Sequence, residues 1–277
     1  MAKRNFNGKV VVVTGAASGI GRALCFRFAE TGGRIAALDI NADGLDTLKK
    51  EIEEHGGSIF TCRCDISDEA GCRQAIGLVI REFGTIDVLI NNAGLSHRSL
   101  FHETKTEVLK KIIDINLLGA IYCTAAAMES IMKNRGMVIG VSSVAGFAPL
   151  LGRTGYAAAK HGLAGFLKTL RTETERYGVK VLLVYPTHVH TDAGKSALGA
   201  DGKQAAGAWN PAGKVLTADE AAAGIYRAAR EEKRTLLLGG NARLVWLINA
   251  FLPGLYVKLM IKANSHLIED AAPPAGA

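Results

Sequence analysis

Cysteine is scarce and odd in number in this 277-residue chain: five residues, at 25, 62, 64, 72 and 123. An odd set without an even framework argues against a disulfide scaffold and for a reducing compartment. The spacing of Cys62, Cys64 and Cys72 fits no zinc motif, so no metal site is expected. A basic block is also missing. The net charge is +7, but 33 Lys and Arg are interleaved with 26 Asp and Glu, which does not make a nucleic-acid footprint. An anionic cofactor or a membrane surface stays compatible with that charge. Met1 to Gly8 holds no apolar stretch, so no cleaved secretion signal is expected and the chain is read as cytoplasmic. No Pro- or Ser-rich linker interrupts the first 240 residues, which predicts one domain. An unbroken apolar run of the ~20 residues that cross a bilayer is lacking too. The nearest is "LVWLINAFLPGLYVKLMIK", residues 244–262, broken by Asn249, Pro253, Gly254 and Lys258. It reads as two short segments that serve as pocket wall, subunit contact or interfacial membrane attachment. The final "AAPPAGA" is expected to be disordered.

What is present is an ordinary globular composition, 48% hydrophobic and 21% charged, with a regular alternation of patterns. "KVVVVT" is a β-branched run of the kind that forms a strand buried on both faces. A glycine turn and the helical pattern "RALCFRFAETG" follow it. "RIAALDI", "SIFTCRCDI", "IDVLINNAG", "GMVIGVSS" and "VKVLLVYP" repeat the strand, with helical stretches between them, including a long one from about Thr106 to Lys133. Strands separated by helices predict βαβ units: an α/β, Rossmann-type doubly wound parallel sheet flanked by helices, spanning residues 1–243. Residues 192–215 are rich in glycine and poor in periodicity, which predicts a substrate loop. Thr217 and Glu220 form a capping box that opens a further helix, and "TLLLGG" is a candidate last strand.

The turn "TGAASGIG", residues 14–21, joins strand to helix. Gly15 permits the sharp turn, Gly19 lets the backbone approach a pyrophosphate and Gly21 lets helix pack on strand. The helix N-terminus then faces the phosphates with unpaired N–H groups. About 20 residues on, Asp39 is placed to accept hydrogen bonds from ribose hydroxyls and to repel a 2′-phosphate, which favours NAD over NADP. Ser18 adds no positive charge; Arg22 and Arg34 offer at most a partial phosphate site. In "GRTGYAAAKHG", Tyr156 and Lys160 stand one helical turn apart on a face kept bare by alanine. An ammonium beside a phenol, with the positive nicotinamide ring, should lower the phenol's pKa from near ~10 toward that of a working base.

Together these residues resemble the short-chain dehydrogenase/reductase family over roughly residues 8–240. The glycine turn has its T-G-x-x-x-G-x-G spacing, and Asp65 in "CDI" matches its adenine-contacting aspartate. "NNAG", residues 91–94, matches its fourth-strand motif. Asn116, Ser143, Tyr156 and Lys160 fall in the order of its catalytic tetrad. Ser143 rather than Ser142 is chosen because it precedes Tyr156 by 13 positions. The resemblance implies cofactor contacts at Gly15, Ser18, Gly19, Ile20, Gly21, Asp39, Asp65, Ile66, Asn92, Ala93, Gly94, Tyr156, Lys160, Pro186, Val189 and Thr191. It implies that Asn116 anchors a water linking Lys160 to solvent, and that the chain forms a homodimer or homotetramer. One departure stands out: "YPTHVHT" has Thr187 where the family has glycine, which is expected to narrow the nicotinamide edge or shift the backbone. His188 and His190 line the substrate cleft or face solvent.

The resulting expectation is an NAD-dependent oxidoreductase acting on a hydrophobic secondary alcohol or its ketone, of steroid, lipid or aryl type. The alternatives are an NADPH-dependent carbonyl or 3-oxoacyl reductase and a non-catalytic NAD-binding scaffold. Membrane contact, if made, is assigned to residues 244–262.

Overall fold

The computed structural model describes residues 3–191, 197–205 and 215–265. Seven parallel strands form one sheet in the order β3-β2-β1-β4-β5-β6-β7. They are β1 (Val10–Thr14), β2 (Arg34–Asp39), β3 (Ser58–Arg63), β4 (Val88–Asn91), β5 (Met137–Val141), β6 (Lys180–Pro186) and β7 (Thr235–Leu238). Val12 pairs with Ala36 on one side and Leu89 on the other. The sheet is therefore wound in two directions from β1 and β4, and the crevice at their carboxyl ends is where such folds bind ligands.

Alternation along β1 assigns the two faces. Val11 and Val13 pack with Leu24 and Phe28 of α1 (Gly19–Ala29), Leu45 and Leu48 of α2 (Ala42–Glu54), and Ile225 of the helix that precedes β7. Val10 and Val12 face Ile76 and Val79 of α3 (Glu69–Phe83), with Cys123 and Leu163. Side-chain caps close the N-terminal turns: Asn41 accepts from Gly44 and Asp68 from Ala70.

The long helical stretch is α4 (Thr106–Ile113), a π-turn over Asp114–Leu118 and α5 (Gly119–Lys133). It is long and apolar enough to cross a membrane by length and composition, but Val108, Ile112, Cys123, Ala127 and Ile131 are spent on the core. α6 (Thr154–Thr174) follows β5, and α7 (Ala218–Arg230) opens on the Thr217–Glu220 capping box. Of the expected substrate loop, residues 197–205 form a small hairpin in which Leu198 pairs with both His97 and Gln204. The rest of that loop and the tail lie outside the described residues. The apolar segment divides at Leu252 into α8 (Ala242–Phe251) and α9 (Pro253–Ala263).

Candidate active site

The chain leaves β1 at Thr14 and turns on Gly15, at φ +65°, a conformation that suits glycine. A β-carbon on Gly15 would stand 2.8 Å from Ala93 Cα. The fourth-strand motif braces this turn across the crevice. Asn92 Nδ2 donates to the carbonyls of Thr14 and Gly15 at 3.0 and 3.1 Å, and the backbone N–H groups of Asn92 and Ala93 donate to Thr14 Oγ1. Ser18 occupies the N-cap of α1 without a side-chain cap bond, so the positive helix end, with Gly19, Ile20 and Gly21, is open to an anion.

Asp39, at the end of β2, accepts from Ala17 N and from Asn41 N, both at 2.9 Å. Each oxygen keeps a further acceptor site. Asp65, past β3, accepts from the N and Oγ of Ser67 at 2.9 and 2.7 Å, and Ile66 is buried beneath it. The cradle thus fits a dinucleotide: an uncapped helix terminus, a glycine turn with no room for side chains, and a carboxylate at the ribose end. The two arginines offered as a partial phosphate site do not serve it. Arg22 is ion-paired with Glu51, and Arg34 starts β2 at the end opposite Asp39, its guanidinium 5.2 Å from the centre of the Phe83 ring. Arg63, which the sequence reading passed over, pairs in register with Asp39 and donates to the Ile40 carbonyl at 3.2 Å.

Ser143 follows β5 and accepts from Ala145 N at 3.2 Å. Its side chain neighbours the Tyr156 phenol and favours its ionised form. Ser142 points elsewhere, donating to the Lys160 carbonyl at 3.2 Å. Lys160 is buried with its Nζ donating to the Val141 carbonyl at 3.0 Å, 5.7 Å from the centre of the Tyr156 ring. Asn116 sits in the π-turn, a distortion that often marks functional positions. Its Nδ2 donates to the carbonyls of Leu95 and Ile112 at 2.8 and 2.9 Å, while its buried Oδ1 has no described partner. A β-carbon on Gly94 would stand 2.7 Å from that Oδ1 and 3.3 Å from Lys160 Nζ. The structure therefore brings all four residues of the expected tetrad to one corner of the crevice.

Burial governs the electrostatics of this corner in the nucleotide-free chain. Burial pushes the Tyr156 phenol up, and the groups that oppose it are Ser143 and the Arg153 guanidinium. Burial likewise holds the Lys160 ammonium, 5.7 Å from the centre of the Tyr156 ring, down to about 8. Desolvation, which spacing along a helix does not reveal, outweighs the pair's proximity.

Arg153 is thus a site residue that sequence reasoning missed. It donates to Ser96 Oγ and, at 3.4 Å, to the His97 carbonyl. His97 is fully buried with neither ring nitrogen paired among the described residues, and burial, with Arg153 adding to it, holds its imidazole near a pKa of about 4. Burial and Arg153 also lower the pKa of His188.

β6 ends at Pro186, and Val189 pairs with Leu216. Thr191 crosses to the glycine turn, its methyl 2.9 Å from where a Gly19 β-carbon would lie. Thr187 sends its side chain toward the end of β7. Its N–H donates to the Leu238 carbonyl at 2.9 Å, and its side chain presses on Gly239, where a β-carbon would collide with the Thr187 hydroxyl. The side chain that the family's glycine lacks is accommodated by a glycine at the end of β7.

A serine, tyrosine and lysine gathered beside a glycine turn at the edge of a doubly wound sheet define a dehydrogenase-type site, and residues 9–200 match the family model of the short chain dehydrogenases. The chain belongs to that family of oxidoreductases. It is similar to mouse "Dehydrogenase/reductase SDR family member 7B", 29% identical over 94% of this chain and 82% of the relative. D-threitol dehydrogenase of Mycolicibacterium smegmatis is 34% identical over 80% of the chain and 86% of its own length. The 3-oxoacyl-(acyl-carrier-protein) reductase of Escherichia coli is 33% identical over 82% and 92%.

Proposed function

We propose that the protein is an NAD-dependent oxidoreductase that interconverts a hydrophobic secondary alcohol and its ketone, with Tyr156 as general acid and base. The observation that carries this reading is the Tyr156 phenol beside Ser143, with the buried Lys160 ammonium 5.7 Å from the centre of its ring. The turn Gly15–Gly21, Asp39, Asp65 with Ile66, Asn92–Gly94 and Pro186–Thr191 would hold NAD, which when bound supplies or accepts the hydride. Ser143 Oγ donates to the substrate oxygen and orients it. Tyr156 Oη takes the carbinol proton in oxidation and returns it in reduction, work that a positioned group performs with ~10²–10⁴-fold effect. Arg153 favours the phenolate. Lys160 holds the nicotinamide ribose, and Asn116 Oδ1 directs a water toward its amine for proton exchange with solvent.

Asp39 supports NAD because a 2′-phosphate would meet its charge. A second reading, NADP as cofactor and reduction of a carbonyl or 3-oxoacyl group, is favoured by Arg63 beside it and by the reductases among the relatives. We place the protein in the cytoplasm as a homodimer or homotetramer, which light scattering checks.

The test is a panel of cyclic, steroidal, aryl and acyl alcohols with NAD⁺ and NADP⁺, run beside Tyr156→Phe. Turnover with NAD⁺ should fall at least ~10³-fold in the variant while NAD binding is retained. Preference for NADP⁺ would overturn the role of Asp39; binding without Tyr156-dependent turnover would make the protein a scaffold.

A further inference from the structure

We propose that α8 and α9 form a docking face for an anionic lipid bilayer beside the segment that follows Ser143. The inner side of this helical pair is fixed to the protein. Val245 and Ile248 of α8 and Tyr256 and Met260 of α9 pack on Val144, Phe147 and Ala148. Asn249 Nδ2 donates to the Phe147 carbonyl at 2.8 Å, and the Tyr256 hydroxyl to the Pro149 carbonyl at 3.2 Å.

The outer side is apolar where a soluble surface would be polar. Nine of the twelve large hydrophobic residues exposed among the described residues fall between Leu244 and Ile261. Leu244, Leu247 and Phe251 recur at i, i+3 and i+7, a stripe on the face of α8 opposite the packed one, and Phe251 is 73% exposed. Trp246 on α8 and Leu255 and Leu259 on α9 extend it. A patch this continuous marks an interaction surface.

Charge selects the occupant. No Asp or Glu occurs between Glu232 and Glu269, whereas Arg243, Lys258 and Lys262 lie on the two helices. An apolar helical face with basic residues and a tryptophan suits the headgroup boundary of an anionic leaflet, where lysine stems reach up to the phosphates. A second copy of the same face would set like charges against each other. Because the inner stripe rests on the residues that follow Ser143, a docked molecule holds its crevice close to the lipid. Delivery of an apolar alcohol by that route rests on the proposed function; docking does not.

The experiment is co-sedimentation of the full chain with phosphatidylcholine vesicles, with and without ~30% phosphatidylserine. Binding should rise about tenfold or more with phosphatidylserine and fall with salt. The double variant Leu247→Glu/Phe251→Glu should lose binding while keeping its melting temperature and its turnover of water-soluble alcohols. In a Trp209→Phe background, Trp246 fluorescence should be quenched by brominated lipid, a reading that needs no surface variant. Absence of both sedimentation and quenching overturns the proposal. So does a double variant that folds and dissociates an oligomer while the parent binds no vesicles, which would make the face a subunit contact. Loss of turnover in Tyr156→Phe with vesicle binding intact separates docking from catalysis.

Discussion

Lys160 carries a stability cost that its replacement should expose. The ammonium is buried, donates among the described residues to the Val141 carbonyl, and has burial as the cause of its depressed pKa. The unfolded lysine titrates near its ordinary 10.5 and the folded one near about 8. Below pH 8 both states hold the proton and the folded state bears the whole cost, about 3 kcal/mol at ~1.4 kcal/mol per pKa unit. Between pH 8 and 10.5 the folded amine has shed its proton while the unfolded one has not, so the cost is progressively relieved. Lys160→Met keeps the volume of the side chain and removes the charge. Against the gain stand about 1 kcal/mol for the Val141 carbonyl left without a donor and about half that for the contact with the Tyr156 ring. The balance is roughly 1–2 kcal/mol in favour of the variant at pH 7, about 4 °C in Tm for a domain of this size. Urea and thermal unfolding of the nucleotide-free protein at pH 7 and at pH 10.5 measure it. The variant should be the more stable at pH 7, lose that advantage at pH 10.5, and have negligible dehydrogenase activity. A variant destabilised at pH 7, or an advantage equal at both pH values, would refute the assignment of the cost to a buried charge.

Two further outcomes follow from neighbouring groups. Arg153→Gln removes one of the influences that oppose burial at Tyr156, so the pH at which kcat/KM for alcohol oxidation rises to its plateau should move up, while NAD affinity is unchanged. His97, fully buried and held near about 4, leaves the folded state short of a proton that the unfolded chain takes up below about 6.5. Its contribution is therefore present above pH 6.5 and lost as pH falls toward 4, by about 3 kcal/mol. His97→Leu should flatten the acid limb of the stability profile, read by urea melts at pH 7 and pH 4.5.

The parts of the fold and site that were legible in the sequence are those fixed by local spacing. β-branched runs alternating with amphipathic helices define a parallel sheet, the glycine turn lies within eight residues, and Tyr156 and Lys160 lie four apart. Each is a statement about one element, and the elements formed where the periodicity placed them. What escaped depends on segments that meet only after folding. Arg153 is one residue outside α6 and looks like a surface cation until the Ser96–His97 loop closes over it. Arg34 looks close to Asp39 in sequence, yet a strand rises ~3.3 Å per residue, so the two stand at opposite ends of β2. Thr187 reads as a defect in a glycine position until Gly239, 52 residues later, supplies the missing space. The same limit applies to the charge on Tyr156. Spacing locates a cation one turn away, but the pKa answers to desolvation of both partners, which is a property of the packed crevice. Arg153, brought in by tertiary contact, is a second cation beside the phenol, and Lys160 is tied to the Val141 carbonyl beneath the Tyr156 ring.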